Sequence, residues 1–529
     1  VASKPFSWLV TIAFVALIGL PLGLMATLGV VQESTEKRQL APFPSLGTDG
    51  YTQHFEAWFN DHFRLRAPLV TGFNRIKVLG LKVSTRKGVD IGQNGWLYYG
   101  ADAMSAALGE VSLPDAHMAG WQAYLEGMRD WLAERGVAYL FVITPNKQEI
   151  HPEYLSARSQ FVGPSVREQM ADYLNAHSNV PFIDLTPVLL QAKGDDELFL
   201  RTDSHWNQLG AYYGYRAIME RLQNWFPSLT AAPLTDFSVS HKSQGGGDLA
   251  QLFNLRQDFS DRLVTLTPHH ASCAKPQPLT LPGNAPWATA RKPQASTCAT
   301  ASPINLVMLR DSFANDLIPL LSEHFRRASY LTQANAQHPL THSLPALKSA
   351  AASIRPRLVI DQLAARKLIM PAPFFTELHT ATLRRHYRQS PLAKQWLTPN
   401  SRVLASGPIR IESTTDGTKI DVGGPGAQIT VDGVEMAKNR WPVLRIDLYA
   451  PAATTLTVAY RGTEQTDFIA ARSIQAQLSA GQNTLHLPLP QSGAMGGLRL
   501  IFGPTPGRYS LSFLEARSLD RDFATLPGN

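Results

Sequence analysis

Ile304-Asn305-Leu306-Val307-Met308-Leu309-Arg310-Asp311-Ser312-Phe313-Ala314-Asn315 joins a short apolar run to a polar turn. The run Ile304 to Leu309 reads as a strand buried on both faces, as in parallel sheets. The residues from about Asn315 to Phe325 read as a helix. A strand-to-helix turn of this kind leaves a side chain such as Ser312 open, beside main-chain amides at the helix start. Outward from this stretch the same grammar recurs. Asp115 to Arg135 carries Met118, Trp121, Leu125, Met128, Trp131 and Leu132 at helical spacing, and Gly136 stops it. Val137 to Thr144 and Val180 to Leu185 are buried strands, Gly210 to Trp225 is a helix, and Leu358 to Ile360 is a shorter strand. Short apolar strands interleaved with helices predict an α/β domain, with a parallel sheet covered on both faces, over residues 51–385.

After about residue 400 the pattern changes. Ile409/Ile411, Ile420/Val422, Leu444/Ile446/Leu448, Leu456/Val458/Tyr460, Leu485/Leu487/Leu489 and Leu498/Leu500/Phe502 alternate, with Gly, Asp and Pro between them. This predicts a β-sandwich over 401–529, reached by a linker at 386–400. It has the general form of a carbohydrate-binding module and matches no motif of one.

The chain is long enough for about three domains, with 529 residues, 44% hydrophobic and 17% charged. Its net charge of +7 is spread out rather than gathered in a dense basic run, which argues against nucleic acid and suits an anionic polymer or a membrane surface. Phe6 to Val31 carries no charge. That is longer than the roughly 20 residues a span needs and longer than a signal-peptide core, so residues 1–31 read as a transmembrane anchor, with a cleaved signal segment as the alternative. Lys4 precedes the run and Lys37 and Arg38 follow it, so charge counting alone does not orient it. Residues 32–50 read as a tether. Two cysteines exclude zinc ribbons, iron–sulfur clusters and disulfide scaffolds. Cys273 and Cys298 sit in a Pro-rich insertion near 268–303, where a disulfide would restrict a long loop and would point to the periplasm or outside. His269 and His270 read as solvated loop residues, and no metal is expected.

In open α/β sheets ligands gather beyond the carboxyl ends of strands. Two segments put polar groups there: Thr202-Asp203-Ser204-His205-Trp206-Asn207 and Arg310-Asp311-Ser312. A serine hydroxyl needs a base to attack, and a histidine base needs a carboxylate to fix its tautomer. Asp203 and His205 supply both. The plain alternative is helix capping by Asp311 or Ser312, and by Asp203 or Ser204.

These segments stand in a longer ordered set: Phe55-Glu56-Ala57-Trp58-Phe59-Asn60-Asp61-His62-Phe63 with Arg66, Gly92-Gln93-Asn94-Gly95-Trp96-Leu97-Tyr98-Tyr99, Pro145-Asn146-Lys147 with Pro152-Glu153-Tyr154, Thr202 to Trp206 with Gly210-Ala211-Tyr212, Gly247-Asp248-Leu249, and Arg310 to Phe313. Together they resemble the alginate O-acetyltransferase proteins of the AlgX/AlgJ type, whose catalytic domain is SGNH-hydrolase-like, across most of residues 51–370. In ordinary SGNH hydrolases the serine motif comes first; here Asp203 and His205 precede Ser312, the circularly permuted order of the acetyltransferases. Two departures stand out. Arg310 occupies a position where many members carry Gly, and Ala365-Arg366 stands where a Glu-Arg pair is common, which removes a supporting salt bridge.

The resemblance implies a polysaccharide O-acetyltransferase with Ser312 as nucleophile, His205 as general base and Asp203 as its orienting carboxylate. It implies an acetyl-serine intermediate, no cofactor, and an exopolysaccharide substrate, alginate-like or other. Asn146, Lys147, Trp206, Gly247 and Arg310 are the further substrate-binding or oxyanion candidates, beside the Ser312 N–H. Trp96, Tyr98, Tyr99 and Trp206 could form a sugar-stacking rim or a buried aromatic core. Implied partners are a membrane-bound O-acyltransferase that delivers acetyl groups, other polysaccharide-export proteins, and the bacterial inner membrane, with a single pass and the bulk of the chain in the periplasm. The alternatives are a periplasmic glycan acetyl-esterase, with the same residues, and a non-catalytic, membrane-tethered glycan-binding or assembly protein.

Overall fold

The computed structural model describes residues 4–28, 40–63, 66–100, 102–194, 196–279, 294–332, 343–373, 375–397, 403–414, 417–469 and 472–520. Much of the Pro-rich insertion (280–293), of the tether (32–39) and the end of the expected linker (398–400) lie outside them.

A seven-stranded sheet runs in the order Phe182–Asp184, Ala138–Thr144, Leu358–Ala364, Ser302–Arg310, Phe325–Thr332, Gln294–Thr297, Lys275–Pro278. The first five strands are parallel, so their carboxyl ends share one edge; the last two are antiparallel additions. Alternation along each strand divides the core in two. Leu140, Val142, Leu306, Met308 and Ile360 pack with Tyr212, Tyr215 and Ile218 of the helix Gln208–Gln223 on one face. Phe141, Ile143, Val307, Leu309 and Val359 pack with Trp121, Leu125 and Met128 of the helix Asp115–Ala133 on the other. Burial on both faces is why these strands read as apolar runs rather than as alternating ones.

Cys273 and Cys298 are joined by a disulfide, Cα atoms 5.1 Å apart, at the base of the two antiparallel strands. The segment after Ser312 differs from the expected helix. It is a 3-10 turn, Ser312–Asn315, then a short helix, Leu317–Ser322, and Phe325 already begins a strand. Arg326 and Arg327, next to the buried Phe325 that opens the strand, break its apolar run.

Residues 386–397 are not a linker. The helix Thr376–Gln389 runs through the expected boundary, and Leu392–Trp396 pairs with Gly507–Leu519 in the sandwich, Trp396 being fully buried there. Two antiparallel sheets form that sandwich, facing each other through residues such as Leu444, Ile446 and Leu514 on one side and Val458, Leu498 and Leu500 on the other. Tyr387 Oη donates to Glu515 at 2.5 Å, and Leu383 and Tyr387 pack on Val443 and Leu519, so the sandwich is seated on this helix.

Lys4–Leu28 forms one helix, with Trp8, Leu9, Val10, Ile12, Phe14, Val15 and Leu20 exposed. Counted over the described residues alone, no helix is long and apolar enough to cross a membrane; several side chains inside this helix lie outside that description.

Candidate active site

Ser312 opens the 3-10 turn at the carboxyl end of the strand Ser302–Arg310. The turn is held from behind by Asp311, which is 1% exposed. Its Oδ1 accepts the Phe313 N–H at 2.9 Å and the Gln362 amide at 3.0 Å, and its Oδ2 accepts the Ala364 N–H at 2.8 Å. Burial raises the Asp311 pKa, but Lys367, Arg366 and these donors outweigh it and keep the group below its ordinary value. Asp311 therefore caps the turn and also ties it to the neighbouring strand, which fixes where the Ser312 side chain points. Helix capping and a reactive Ser312 are thus compatible readings of the same turn.

His205 Nε2 lies 2.7 Å from Ser312 Oγ, and its Nδ1 lies 2.7 Å from Asp203 Oδ1. A carboxylate only accepts, so Nδ1 carries the proton and Nε2 is left to accept from the serine hydroxyl. Asp203 also accepts the His205 N–H at 3.0 Å and the Asp248 N–H at 2.9 Å. Burial raises the Asp203 pKa; the bond and charge of His205 and the two main-chain donors win and bring it down to about 2. His205 and Asp203 side chains keep 24% and 18% exposure, so the pair opens to a ligand from solvent.

The loop itself is built around buried polar groups. Thr202 N and Oγ1 donate to Asp261 at 2.8 and 2.6 Å, and Thr202 Oγ1 accepts the Gly247 N–H at 2.7 Å. Asp248 accepts from Ser204 N at 2.7 Å and Ser204 Oγ at 2.6 Å, and its Oδ2 comes within 3.7 Å of His205 Nδ1. The imidazole thus faces two carboxylates. Asp203, His205 and Asp248 also have the spacing of a metal-ligand trio. Their bonds to Ser204, to main-chain N–H groups and to Ser312 already account for the arrangement.

The further candidates divide. Lys147 does not face a ligand. Its ammonium is 2% exposed and gives all three protons to the carbonyls of Leu200, Arg201 and Asp203, at 3.0, 3.0 and 2.7 Å. It pairs with neither Glu149 nor Glu153; burial pulls its pKa down to about 7 against the opposing pull of Asp261 and Asp203. Gly247 is not an oxyanion donor, because its N–H is spent on Thr202; it is glycine because a Cβ would collide with Asp203. Trp206 is 1% exposed, and its indole N–H donates to the Phe313 carbonyl at 2.9 Å. Arg310 is 3% exposed and donates to the Asp311 carbonyl at 3.2 Å and Asn315 Oδ1 at 2.7 Å. These four brace the site from inside. Asn146 is also buried, with its Nδ2 on Glu149 at 3.3 Å, while its Oδ1 bonds to no group among the described residues.

Of the four expected rim aromatics, Trp96, Tyr98 and Trp206 are core; Tyr99 is 41% exposed. The Arg366 guanidinium lies 5.0 Å from the Tyr99 ring centroid and 5.2 Å from that of Phe313, the residue after Ser312. Gln362 and Asp261 are site groups that the sequence did not point to, and Asp248 and Arg366 stood in a motif and beside a departure from it without a role attached. Gly247-Asp248-Leu249 was legible as a motif, but nothing in its letters said that it grips Asp203.

A serine, a histidine and an aspartate stand in hydrogen-bonded series at the carboxyl edge of a parallel α/β sheet, the class of site expected of an SGNH-hydrolase-like domain. Residues 89–365, more than half of the chain, match the model of the family described as "SGNH hydrolase-like domain, acetyltransferase AlgX", and the chain belongs to that family. It is 32% identical over 129 residues to the probable alginate O-acetylase AlgJ of Azotobacter vinelandii, covering 24% of this chain and 31% of that one. With the protein of the same description from Pseudomonas fluorescens the identity is 27% over 225 residues, 41% and 54% of the two chains. The chain thus spans from about a third to about half the length of these curated relatives. Among solved structures it is similar to the O-acetyltransferase domain of Pseudomonas putida AlgJ, 21% identical with a TM-score of 0.38, over 57% of this chain and 100% of that one.

Proposed function

We propose that this chain is an O-acetyltransferase that places acetyl groups on hydroxyls of an exopolysaccharide through an acetyl-Ser312 intermediate. The observation that carries the reading is the aligned series Ser312 Oγ, His205 Nε2/Nδ1, Asp203 Oδ1, with both links at 2.7 Å. In the first step Ser312 Oγ attacks the carbonyl carbon of an acetyl donor while His205 Nε2 takes its proton. The donor's C–O bond breaks and the leaving oxygen takes that proton back. In the second step His205 removes a proton from a sugar hydroxyl, which attacks the acetyl-serine, and Ser312 Oγ leaves and is reprotonated. Asp203 holds the Nδ1 proton throughout and stabilises the imidazolium. The Ser312 N–H is the proposed oxyanion donor, with Asn146 at the same edge of the sheet as its companion.

Sugar must outcompete water in the second step, and positioning alone is worth several kcal/mol in such a contest. Tyr99 and Arg366 are the proposed acceptor rim: one exposed ring for a sugar face, and one guanidinium fork for a carboxylate or hydroxyl cluster. We further propose that the apolar helix Lys4–Leu28 anchors the chain in the inner membrane, that the bulk lies in the periplasm, and that a membrane-bound O-acyltransferase supplies the acetyl group.

The test is intact-mass and peptide mapping of the full chain after exposure to an activated acetyl ester, then to glycan oligomers. Acetyl on Ser312 that passes to sugar supports the transferase. Loss to water alone would make it an esterase. A folded protein with no adduct, identical to Ser312→Ala, would end the nucleophile assignment.

A further inference from the structure

Beside the catalytic body lies a surface that the chemistry above does not use. The helix Arg66–Asn74 continues through a wider π-helical turn, Arg75–Gly80. Its inner side is built into the body. Asn74 is 3% exposed and donates to the Phe253 carbonyl at 2.6 Å, and Val78 packs with Leu249, Ala250 and Phe253. Its outer side carries Leu69, Phe73 and Ile76, exposed by 61%, 54% and 66%, and the chain beyond it adds Leu81 at 60% and Val83 at 48%. Isolated exposed apolar residues need no explanation; a row of large ones on one helix face does.

The chain that carries this row holds charge of one sign. Between Phe63 and Val89 there is no Asp or Glu, while Arg66, Arg75, Lys77, Lys82, Arg86 and Lys87 all fall there. Arg75 is held by Asp258 at 2.8 Å, and Lys77 lies 5.9 Å from the Phe73 ring centroid. An apolar face bordered mainly by cations, with Asp258 on Arg75 as the acidic exception, is the composition of a helix that lies in a membrane interface, apolar side down and cations toward anionic headgroups.

We infer that this face docks on an anionic lipid bilayer. Part of the argument rests on the anchor reading above: only residues 29–65 separate the apolar helix from Arg66, so an anchored chain keeps this surface close to the bilayer. The functional consequence follows from the packing. Leu249 and Ala250, on which Val78 sits, belong to the helix Asp248–Leu252, whose first residue donates to Asp203. Docking would therefore fix the orientation of the reactive serine toward the membrane from which acetyl groups arrive.

The experiment uses the full chain carrying Phe73→Cys, labelled with an environment-sensitive fluorophore. The native cysteines are paired, so labelling is selective. Tyr449→Cys, on an exposed sandwich position, is the control. In vesicles of mixed zwitterionic and anionic lipid, lipid-borne bromine should quench the label at 73 and not at 449. Raising salt to about 0.5 M or reversing two charges with Lys77→Glu/Lys82→Glu should lower the quenched fraction severalfold. A label at 73 as open to aqueous iodide as that at 449 would overturn the inference. So would a label shielded from iodide but untouched by lipid bromine, which would mean that a second copy of the chain covers the face. An alkaline carbonate wash reads the anchor separately: protein released by the wash sinks the anchor, while salt-sensitive lipid quenching before it still reads this surface.

Discussion

The α/β body and the sandwich are both well packed, but they are organised by different forces. The sandwich interior is aliphatic and aromatic, with Thr418 and Glu515 its buried polar residues among those described. The body buries Asp261, Asp311, Lys147, Gln362, Asn146 and Thr202 near one edge of its sheet. Buried polar groups add little net stability and cost much when a partner is removed. They do fix direction, which apolar packing does not. The body therefore accepts a costly, directional network where a serine must be aimed, and the sandwich relies on buried area.

The largest expected effect lies in that network. Ser312→Ala or His205→Ala should lower the rate of acetyl transfer by about 10⁴-fold or more, with the fold intact by circular dichroism. The sandwich offers the opposite experiment. Trp396 is fully buried, with its indole N–H on the Asp432 carbonyl at 3.0 Å. Trp396→Ala should cost the sandwich about 3–5 kcal/mol in calorimetry, while acylation of Ser312 in the folded protein stays unchanged. A parallel fall in acylation would show that the two regions are not separable. Lys147→Met sits between these cases. It keeps the side-chain volume but strips three buried carbonyls of their donor, for a cost on the order of 3 kcal/mol. Because those carbonyls carry Asp203, the variant should lose acylation as well as stability.

Legibility in the sequence follows the same division. Strands buried on both faces announce themselves as apolar runs, so Ile304 to Leu309 and Val137 to Thr144 were plain. Alternation revealed the sandwich strands around Leu444 and Leu498, but Gly507–Leu519, the strand that holds its sheet together, was hidden by Arg508, Glu515 and Arg517. Ser312, His205 and Asp203 were recognisable from residue chemistry together with motif order. Their supports were not. Whether a lysine faces a ligand or three carbonyls, or the aspartate after a glycine reaches back to a histidine loop, depends on contacts across about 40 or more residues of chain. Lys147 is a cation and Gly247 offers a main-chain N–H near the candidate site, which suggests that both face a ligand; the structure spends them on holding the loop.

The smallest effect separates the two regions by acid. Asp203 titrates near 2 in the folded protein against an ordinary 3.8. Above about pH 5 it is a carboxylate in both states, and its bonds contribute fully. As the pH falls, the unfolded chain takes up the proton first, so stability drains away between about pH 5 and about pH 1, for a total of about 2 kcal/mol. Asp203→Asn should remove that slope from the stability of the body. The sandwich holds a matching test in Asp421, which is also shifted downward, by a 2.8 Å bond from Arg508. That pair is fully exposed, and water and salt screen it, so Asp421→Asn should leave the acid unfolding curve where it was. Two aspartates with the same direction of shift would then differ in consequence because one is partly buried beside a histidine and the other is in solvent. Equal slopes for both variants would mean that burial does not set the strength of the His205–Asp203 link, and the contrast between the two regions would fail at its most sensitive point.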